Sequence, residues 1–342
     1  MDKETPELVD MLQKVATMEQ ELGRNHKDLL VPYGNIAEMY LTMKRFAAAL
    51  GYLQKMSRIL EQTVDKNPTN LAALYNNMSV IYRKMGRMPE ALVYQQKNLT
   101  IQEKYLDKNQ PDLAISYSNM ASIYQAIEQL SEAAVYEQKA LAILEQLLDP
   151  NDPALATQYN KISVIYHELR NFRQAFILQQ KAIAIRERVL APDHTDLATS
   201  YSNMSTLYQS MNYLPEALEY SLKDVAICEK TLDSNHPNLA TAYNNISIIY
   251  VALGCFPEAL EYSLKSIAIF EQILSKKHQA LAISYSNIAS IYYSLTNKLQ
   301  AQYYVQRAID ILRHHFSNEH PKVTDALKLQ QLINKMKTNV VK

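Results

Sequence analysis

The sequence predicts an all-α fold, an α-solenoid of stacked antiparallel helical hairpins with about sixteen helices. Three observations support this prediction: a leucine that recurs every 42 residues, apolar residues at helical spacing after it, and glycine or proline where that spacing breaks. The recurring positions are Leu29, Leu71, Leu113, Leu155, Leu197, Leu239 and Leu281, with Val323 at the next interval. A fixed period of this size is typical of repeat architectures. We number each repeat from this leucine, as position 0.

Each repeat is predicted to hold two helices. Apolar residues follow the leucine at positions 4, 7 and 11, as in Tyr243, Ile246 and Tyr250, and this spacing places them on one helical face. The pattern ends after position 14, where Gly254 and Pro257 stand at positions 15 and 18. Because the first turn of a helix tolerates proline, a second helix is predicted to begin at position 18 and to end near position 35.

Polar loops join the repeats and are predicted to cap the next helix. Five histidines share the cap position: His26, His194, His236, His278 and His320. Burying about eight apolar side chains in one hairpin contributes roughly 12–24 kcal/mol. Ordering the backbone costs roughly 1–2 kcal/mol per residue. A single hairpin is therefore too weakly stabilised to stand alone, and stacking is required.

The ends of the chain are predicted to be partial repeats. We assign residues 1–25 to an N-terminal capping helix, 26–319 to seven 42-residue hairpins, and 320–342 to a C-terminal capping helix and tail. In that last helix Gln330, Gln331 and Asn334 occupy positions that would otherwise face a following helix. Polar residues there predict a solvent-facing cap.

Composition disfavours several classes of protein. Lysine plus arginine equals aspartate plus glutamate at 35 each, which argues against a nucleic-acid partner. The N-terminus does not resemble a signal peptide, and no apolar run approaches the roughly 18 residues of a membrane span. We therefore expect a cytoplasmic protein without membrane insertion. Cys228 and Cys255 follow no metal-binding spacing and are expected to be free thiols.

No catalytic motif recurs outside the repeat pattern. The sequence contains no glycine-rich phosphate loop and no nucleophile elbow. We expect no enzymatic activity, no cofactor and no metal site; the adjacent His314 and His315 are a weak candidate for metal binding. A monomer is expected, and self-association through the open ends of the solenoid is the alternative.

Four positions of the repeat carry a resemblance to a known family. Position 8 is always alanine or serine, and position 20 is alanine from Ala49 to Ala301. Position 4 is tyrosine throughout: Tyr33, Tyr75, Tyr117, Tyr159, Tyr201, Tyr243 and Tyr285. Position 11 is also tyrosine: Tyr40, Tyr82, Tyr124, Tyr166, Tyr208, Tyr250 and Tyr292. In these residues the chain resembles the tetratricopeptide repeat (TPR) family over about residues 26–337.

The period of 42 and the loop His-Pro-x-Leu-Ala resemble the kinesin light chain subfamily. That resemblance implies a right-handed superhelix whose first helices line a concave groove. Kinesin light chains also carry an N-terminal heptad coiled coil, and the sequence here shows no such segment.

The resemblance implies that positions 2, 5, 6, 9, 12 and 13 of the first helices face the groove. Amides recur at positions 5 and 6, with one lysine among them: Asn35, Asn77, Asn119, Lys161, Asn203, Asn245, Asn287, Asn76, Asn160 and Asn244. Asparagine offers both a donor and an acceptor and is disfavoured inside helices. We therefore predict that this row binds the backbone of a peptide. The alternative is that each asparagine only bonds the neighbouring helix.

Charged residues give two further expectations. Arg83, Lys84, Lys161 and His167 lie at or near groove positions and are predicted to favour an acidic ligand; scattered solvated charges are the alternative. On the second helices, lysine or arginine recurs at position 26 and glutamate at position 32. We expect these two rows to form a solvated surface. Asp224, at packing position 27, is expected to be a soft joint or to be tolerated near the surface.

Together these features predict a non-catalytic scaffold for protein–protein interaction. Its concave groove would bind an extended or helical peptide segment of a partner. The alternative is a kinesin-light-chain-like cargo adaptor, or a scaffold within a larger assembly.

Overall fold

The structure, a computed structural model, describes residues 5–64, 66, 68–105 and 110–336. Within these residues it contains sixteen α-helices, a 3₁₀ turn at Lys27–Leu29 and no strand, which confirms the predicted all-α fold. The helices are α1 (Pro6–Leu22), α2 (Leu30–Thr42), α3 (Phe46–Glu61), α4 (Pro68–Lys84), α5 (Met88–Tyr105), α6 (Pro111–Ala126), α7 (Leu130–Leu147), α8 (Pro153–Glu168), α9 (Phe172–Val189), α10 (Thr195–Ser210), α11 (Leu214–Thr231), α12 (Pro237–Ala252), α13 (Phe256–Ile273), α14 (Gln279–Ser294), α15 (Lys298–His315) and α16 (Pro321–Lys335).

The chain forms two compact units, Met1–Arg170 and Asn171–Lys342. Unit 1 contains α1 to α8, with hairpins α2/α3, α4/α5 and α6/α7. Unit 2 contains α9 to α16, with hairpins α10/α11, α12/α13 and α14/α15. Within each unit the second helix of a hairpin also packs on the first helix of the next hairpin. Stacking of this kind buries the second face that a lone hairpin leaves exposed.

The helix bounds agree closely with those predicted. Second helices begin at position 17, one residue before the predicted start, so that Pro215 and Pro257 occupy the second helical residue. The N–H of that residue has no intrahelical acceptor, and proline is therefore accommodated there as well. The predicted C-terminal tail, residues 337–342, lies outside the described residues.

The turn inside each hairpin uses a left-handed residue at position 15. Glycine fills it at Gly86 and Gly254 (φ 73° and 78°), whereas the other turns have Lys44, Glu128, Arg170, Asn212 and Thr296 at φ 56–65°. The next residue closes the turn, as when the Cys255 N–H donates to the Tyr250 carbonyl at 2.9 Å. This bond terminates the first helix.

The predicted histidine caps are confirmed. In each case Nδ1 accepts a hydrogen bond from the backbone N–H two residues later, at 3.1–3.4 Å. The capped histidines are His26, His194, His236, His278 and His320. Each cap satisfies one of the N–H groups that a helix start leaves without a partner.

The terminal helices behave as partial repeats. Leu8 and Val15 of α1 are buried (0% and 3% exposed), so α1 packs as a second helix would. In α16, Gln331 and Asn334 are exposed, while Gln330 is half-buried and donates through Nε2 to Gln306. Asn334 also accepts a hydrogen bond from Gln302 of α15, so Gln330 and Asn334 contact the preceding helix; the role of α16 as a solvent-facing cap stays a prediction.

A tyrosine–glutamate contact, which we call the interlock, joins consecutive repeats. The hydroxyl of each position-4 tyrosine donates to a glutamate at position 32 of the preceding second helix; between Tyr243 and Glu229 the distance is 2.8 Å. The same contact occurs at Tyr33–Glu19, Tyr75–Glu61, Tyr117–Glu103, Tyr159–Glu145, Tyr201–Glu187 and Tyr285–Glu271. Burial, followed by the bond to the carboxylate, raises the pKa of Tyr117 to about 12.

The position-26 cations complete the interlock. Lys265 Nζ lies 5.6 Å from the ring centroid of Tyr243 and 5.0 Å from that of Tyr262. Equivalent cations stack on tyrosine rings at Lys55, Lys97, Lys139, Lys223 and Arg307. Most of these lysines and glutamates are exposed, as expected of a solvated surface, and they also contact tyrosines, which was not expected from the sequence. The tyrosines reach these lysines and glutamates only because consecutive helices pack together. Along the sequence of one helix, the charges have no visible partner.

Replacing Tyr243 by phenylalanine should weaken the interlock. We expect Tyr243→Phe to lower the free energy of unfolding by about 1 kcal/mol, because one partly buried hydrogen bond to a carboxylate is lost. Urea denaturation measures this. A double-mutant cycle with Glu229→Ala should give a coupling of about 0.5–1.5 kcal/mol. Tyr250→Phe, whose ring stacks on Tyr262, is the matched control. Zero coupling between Tyr243 and Glu229 would contradict the role of the interlock.

Candidate functional site

The predicted groove positions lie on the first helices, which are α2, α4, α6 and α8 in unit 1 and α10, α12, α14 and α16 in unit 2. We call the surface formed by positions 2, 5, 6, 9, 12 and 13 of these helices the groove face. At position 6, Asn35, Asn77 and Lys161 are exposed, and the half-buried residues are Asn119, Asn203, Asn245 and Asn287. At position 5, Asn76, Asn160 and Asn244 are half-buried. The predicted row is thus accessible to solvent on every helix that carries it.

Two of these asparagines contact each other. Asn119 of α6 donates through Nδ2 to Oδ1 of Asn76 in α4, at 3.1 Å. Position 6 of one first helix thereby reaches position 5 of the preceding one. This bond makes the amide row continuous between the two helices. At this pair it also agrees with the alternative interpretation, in which asparagine bonds the neighbouring helix.

The predicted basic residues are divided between two helices. Arg83 and Lys84 end α4, and Lys161 and His167 lie on α8, two hairpins further along unit 1. Arg83 and His167 are half-buried, and both lysines are exposed. The structure therefore places positive charge on two separate first helices of one unit instead of in a single cluster.

Three cavities occupy the same place in different repeats. Each lies between a first helix, its own second helix and the next first helix. Their volumes are 200 Å³ (α4, α5, α6), 380 Å³ (α10, α11, α12) and 290 Å³ (α14, α15, α16). Among the predicted site residues, Asn76, Asn203 and Asn287 line these cavities in turn. The cavities therefore open beside the asparagine row.

The chemistry of the three cavities differs at positions 27 and 31 of the second helix. Asn98 and Gln102 line the first cavity, Asp224 and Cys228 the second, and Leu312 the third. A fourth cavity of 270 Å³ is lined mainly by apolar and hydroxyl side chains of α12 and α14, including Ile248, Val251 and Asn287. One repeated geometry thus presents amide, acidic and apolar surfaces.

Sequence reasoning missed most of the buried polar groups behind the groove face. Gln95 Nε2 donates to the Ser116 carbonyl at 3.0 Å, and Asn98 Nδ2 donates to Ser116 Oγ at 2.9 Å. The side-chain oxygens of Gln95, Asn98 and Gln102 are buried without a hydrogen-bond partner. A polar residue at position 27, where Ala140, Ala182 and Ala308 stand in other repeats, was the available signal.

The burial of Asp224 contradicts the expectation that it lies near the surface. It is only 5% exposed, so it is not tolerated near the surface as the sequence suggested. Stacking of α12 on α11 covers it, and a single helix does not reveal this. Burial raises the pKa of Asp224 to about 6, against the opposing effect of hydrogen bonds from Ser202 and Cys228. The Cys228 thiol donates to Oδ1 at 3.4 Å, and both cysteines are free thiols.

Neutralising Asp224 should stabilise the protein at neutral pH. The raised pKa means that the folded state binds a proton more tightly than the unfolded state, so stability falls as pH rises from about 4 to about 6. We expect Asp224→Asn to raise the free energy of unfolding by about 1–3 kcal/mol at pH 7.5. The gain should nearly vanish at pH 4. Urea denaturation at both pH values tests this, with the exposed Asp196→Asn as control. An equal gain at both values would refute the linkage.

None of the helices in the described ranges combines the length and the apolar character needed to cross a bilayer.

Comparison with known proteins identifies the fold. The family model described as "Tetratricopeptide repeat" matches residues 70–146, 153–223 and 239–314. A structure of nearly identical TPR-like repeats, ascribed to a kinesin light chain of P. anserina, has 26% identity and a TM-score of 0.54. It covers 61% of this chain and 100% of that chain. Among curated proteins, none matches significantly.

Two further structures share only the fold at lower identity. BtubC (BKLC) from P. vanneervenii is 21% identical with a TM-score of 0.55, and the match covers 65% of this chain and 90% of that one. The signal transduction ATPase PH0952 from Pyrococcus horikoshii, which has a tetratricopeptide repeat sensor, is 16% identical with a TM-score of 0.62. That match covers 97% of this chain and 50% of the ATPase. With its family model matching most of the sequence, the chain belongs to the tetratricopeptide repeat family.

Proposed function

We propose that this protein binds an extended or helical peptide segment of a partner on its groove face and catalyses no reaction. Tetratricopeptide repeats are in general scaffolds for protein–protein interaction, which gives the coarse function. The observation that carries the finer proposal is the solvent-accessible asparagine row at positions 5 and 6, with cavities opening beside it. Amide side chains would bond the peptide backbone, and the cavities would take its side chains.

The geometry supports recognition of a backbone more than of one fixed sequence. Each asparagine offers a donor and an acceptor, which match the N–H and C=O groups of any peptide. In unit 2, Asn203, Asn245 and Asn287 stand at the same position of the first helices α10, α12 and α14. Their half-buried state restrains the side chains, so less conformational entropy is lost on binding.

Removing this row should weaken peptide binding without unfolding the protein. We expect the triple variant Asn203→Ala, Asn245→Ala and Asn287→Ala to lose at least about tenfold in affinity, since each lost amide bond is worth about 0.5–1.5 kcal/mol. The assay is fluorescence polarisation with peptides selected from a random display library on the wild-type protein.

The matched control changes amides on second helices. Gln180→Ala and Gln272→Ala alter exposed side chains of α9 and α13 and should leave affinity unchanged. If the triple variant binds every selected peptide as tightly as the wild type does, binding takes place off the groove face. If no peptide is selected, the proposed peptide-binding function is rejected.

The basic residues of unit 1 are proposed to favour an acidic residue in the bound segment. Arg83 and Lys161 lie on first helices α4 and α8, where a carboxylate would gain a charge-assisted contact. Changing both to alanine should weaken acidic peptides by about threefold to tenfold and should reduce the salt dependence of binding. Neutral peptides of the same selection serve as the control. An unchanged preference for acidic peptides would mean that these charges are only solvated.

A cargo adaptor within a larger assembly is the second candidate. The similarity to the kinesin light chain repeats of P. anserina favours it. Such an adaptor would sediment as part of a complex with other proteins of its assembly, whereas a simple peptide-binding scaffold would sediment as a free monomer at high concentration. Sedimentation velocity of the tagged protein isolated from its cells under mild conditions therefore separates the two functions, and sedimentation of the purified protein tests self-association.

A further inference from the structure

The cavity between α10, α11 and α12 contains a buried acidic group that the fold does not require. Asp224 stands at repeat position 27 and is 5% exposed. The same position holds Asn98 in α5 (0% exposed) and Ser266 in α13 (1% exposed). Neutral side chains therefore satisfy the packing of this site elsewhere in the chain. Packing at this position therefore does not require the negative charge of Asp224, because Asn98 and Ser266 pack there without one.

The carboxylate of Asp224 is short of positive charge. Its hydrogen bonds come from the Ser202 hydroxyl and from the Cys228 thiol, both neutral and the second at 3.4 Å. The walls contributed by all three helices contain no lysine, arginine or histidine among the described lining residues. A buried charge without a counter-ion is costly, and a cation that enters the cavity would offset that cost.

The walls of the cavity suit a cation on an alkyl arm. Ser202, Asn203, Asn238 and Thr241 bring oxygen acceptors, which an ammonium or guanidinium group can use beside the carboxylate. Ala198 and Leu232 add apolar surface for methylene groups. The volume of 380 Å³ exceeds that of the two equivalent cavities. A divalent metal is a poorer match, since it requires several oxygen ligands, and the described residues contain no cluster of three acidic, histidine or cysteine side chains.

We propose that this cavity is a specific pocket for a lysine or arginine side chain of the bound partner, with Asp224 as its counter-ion. That the cation belongs to a bound peptide rests on the proposed peptide-binding function, whereas the affinity of the pocket for a cation does not. The related cavities have amides (Asn98, Gln102) or an apolar residue (Leu312) in place of the charge. Repeat positions 27 and 31 of the second helix thus distinguish the acidic cavity at Asp224 from the other two, to which the following first helices add Asp112 or Lys322 and Asp325.

A pair of small probes tests the pocket by itself. Butylguanidinium carries the cation on an alkyl arm, and butylurea is its neutral analogue of the same shape. Binding is followed at pH 7.5 by NMR of the methyl groups of Ala198, Leu232 and Ala242, which line the cavity. We expect saturable shifts with butylguanidinium and at least about tenfold weaker binding of butylurea.

Two variants separate the role of Asp224 from general charge. Asp224→Asn should weaken butylguanidinium at least about tenfold, and it retains the fold because Asn98 already fills this position in another repeat. Asp196→Asn removes an exposed carboxylate from the start of α10, a helix that also lines the cavity, and should leave the affinity for butylguanidinium unchanged. The absence of methyl shifts in the wild type, or equal binding by Asp224→Asn, would overturn the proposal.

Peptide selection tests the partner. Peptides that bind the wild-type protein should share a lysine or arginine at one position of the aligned peptides. Selection on Asp224→Asn should lose this enrichment and keep the residue preferences at the other peptide positions. An enrichment that survives in Asp224→Asn would reject the pocket as its cause. If no peptide binds the wild type, the proposed function fails, and the probe titration still decides whether the pocket takes a cation.

Discussion

The interlock between consecutive hairpins is the interaction on which the rest of this structure depends. Each hairpin has too little core to be stable alone, so it must bury a second face on its neighbour. The apolar residues at positions 0, 4 and 7 supply most of that burial, as in Leu239, Tyr243 and Ile246. The tyrosine hydroxyl adds direction, because it finds the glutamate of the preceding repeat in only one register. The cation over the tyrosine rings then completes the contact.

This division of roles leaves the cavities behind the groove face open to variation. Packing constrains positions 4, 8, 11 and 20, where the residue type hardly changes along the chain. Position 6 contacts solvent and is asparagine in six of the seven repeats, so the groove face keeps its amides. Positions 27 and 31 line the cavities, and their chemistry changes from repeat to repeat. Asn98, Asp224 and Leu312 show the range that one backbone geometry accepts. A scaffold held by invariant contacts thus carries a variable surface, which suits the recognition of one peptide segment among many.

Asp224 illustrates how a side chain that lines a cavity can cost stability. Its burial raises its pKa and lowers stability at neutral pH, whereas an asparagine at the same position would impose no such cost. Proteins commonly retain side chains at functional sites that make the fold less stable than it could be. The buried oxygens of Gln95, Asn98 and Gln102 show the same feature in unit 1. Leaving these oxygens buried without a hydrogen-bond partner costs stability in the same way.

The sequence by itself determined the helices, their turns and their caps, because these depend on local and periodic patterns that recur seven times. The sequence also shows that asparagine recurs at one position of the repeat, and the resemblance to tetratricopeptide repeats is what implies that this row faces a groove. The tertiary structure alone decided which polar groups are buried and paired. The sequence suggests a surface charge at Glu229, which accepts a hydrogen bond from Tyr243. It suggests that Asp224 is tolerated near the surface, whereas Asp224 is buried in the wall of the cavity between α10, α11 and α12. Each of these environments is created by a helix of the next repeat, and no pattern within one helix records that contact.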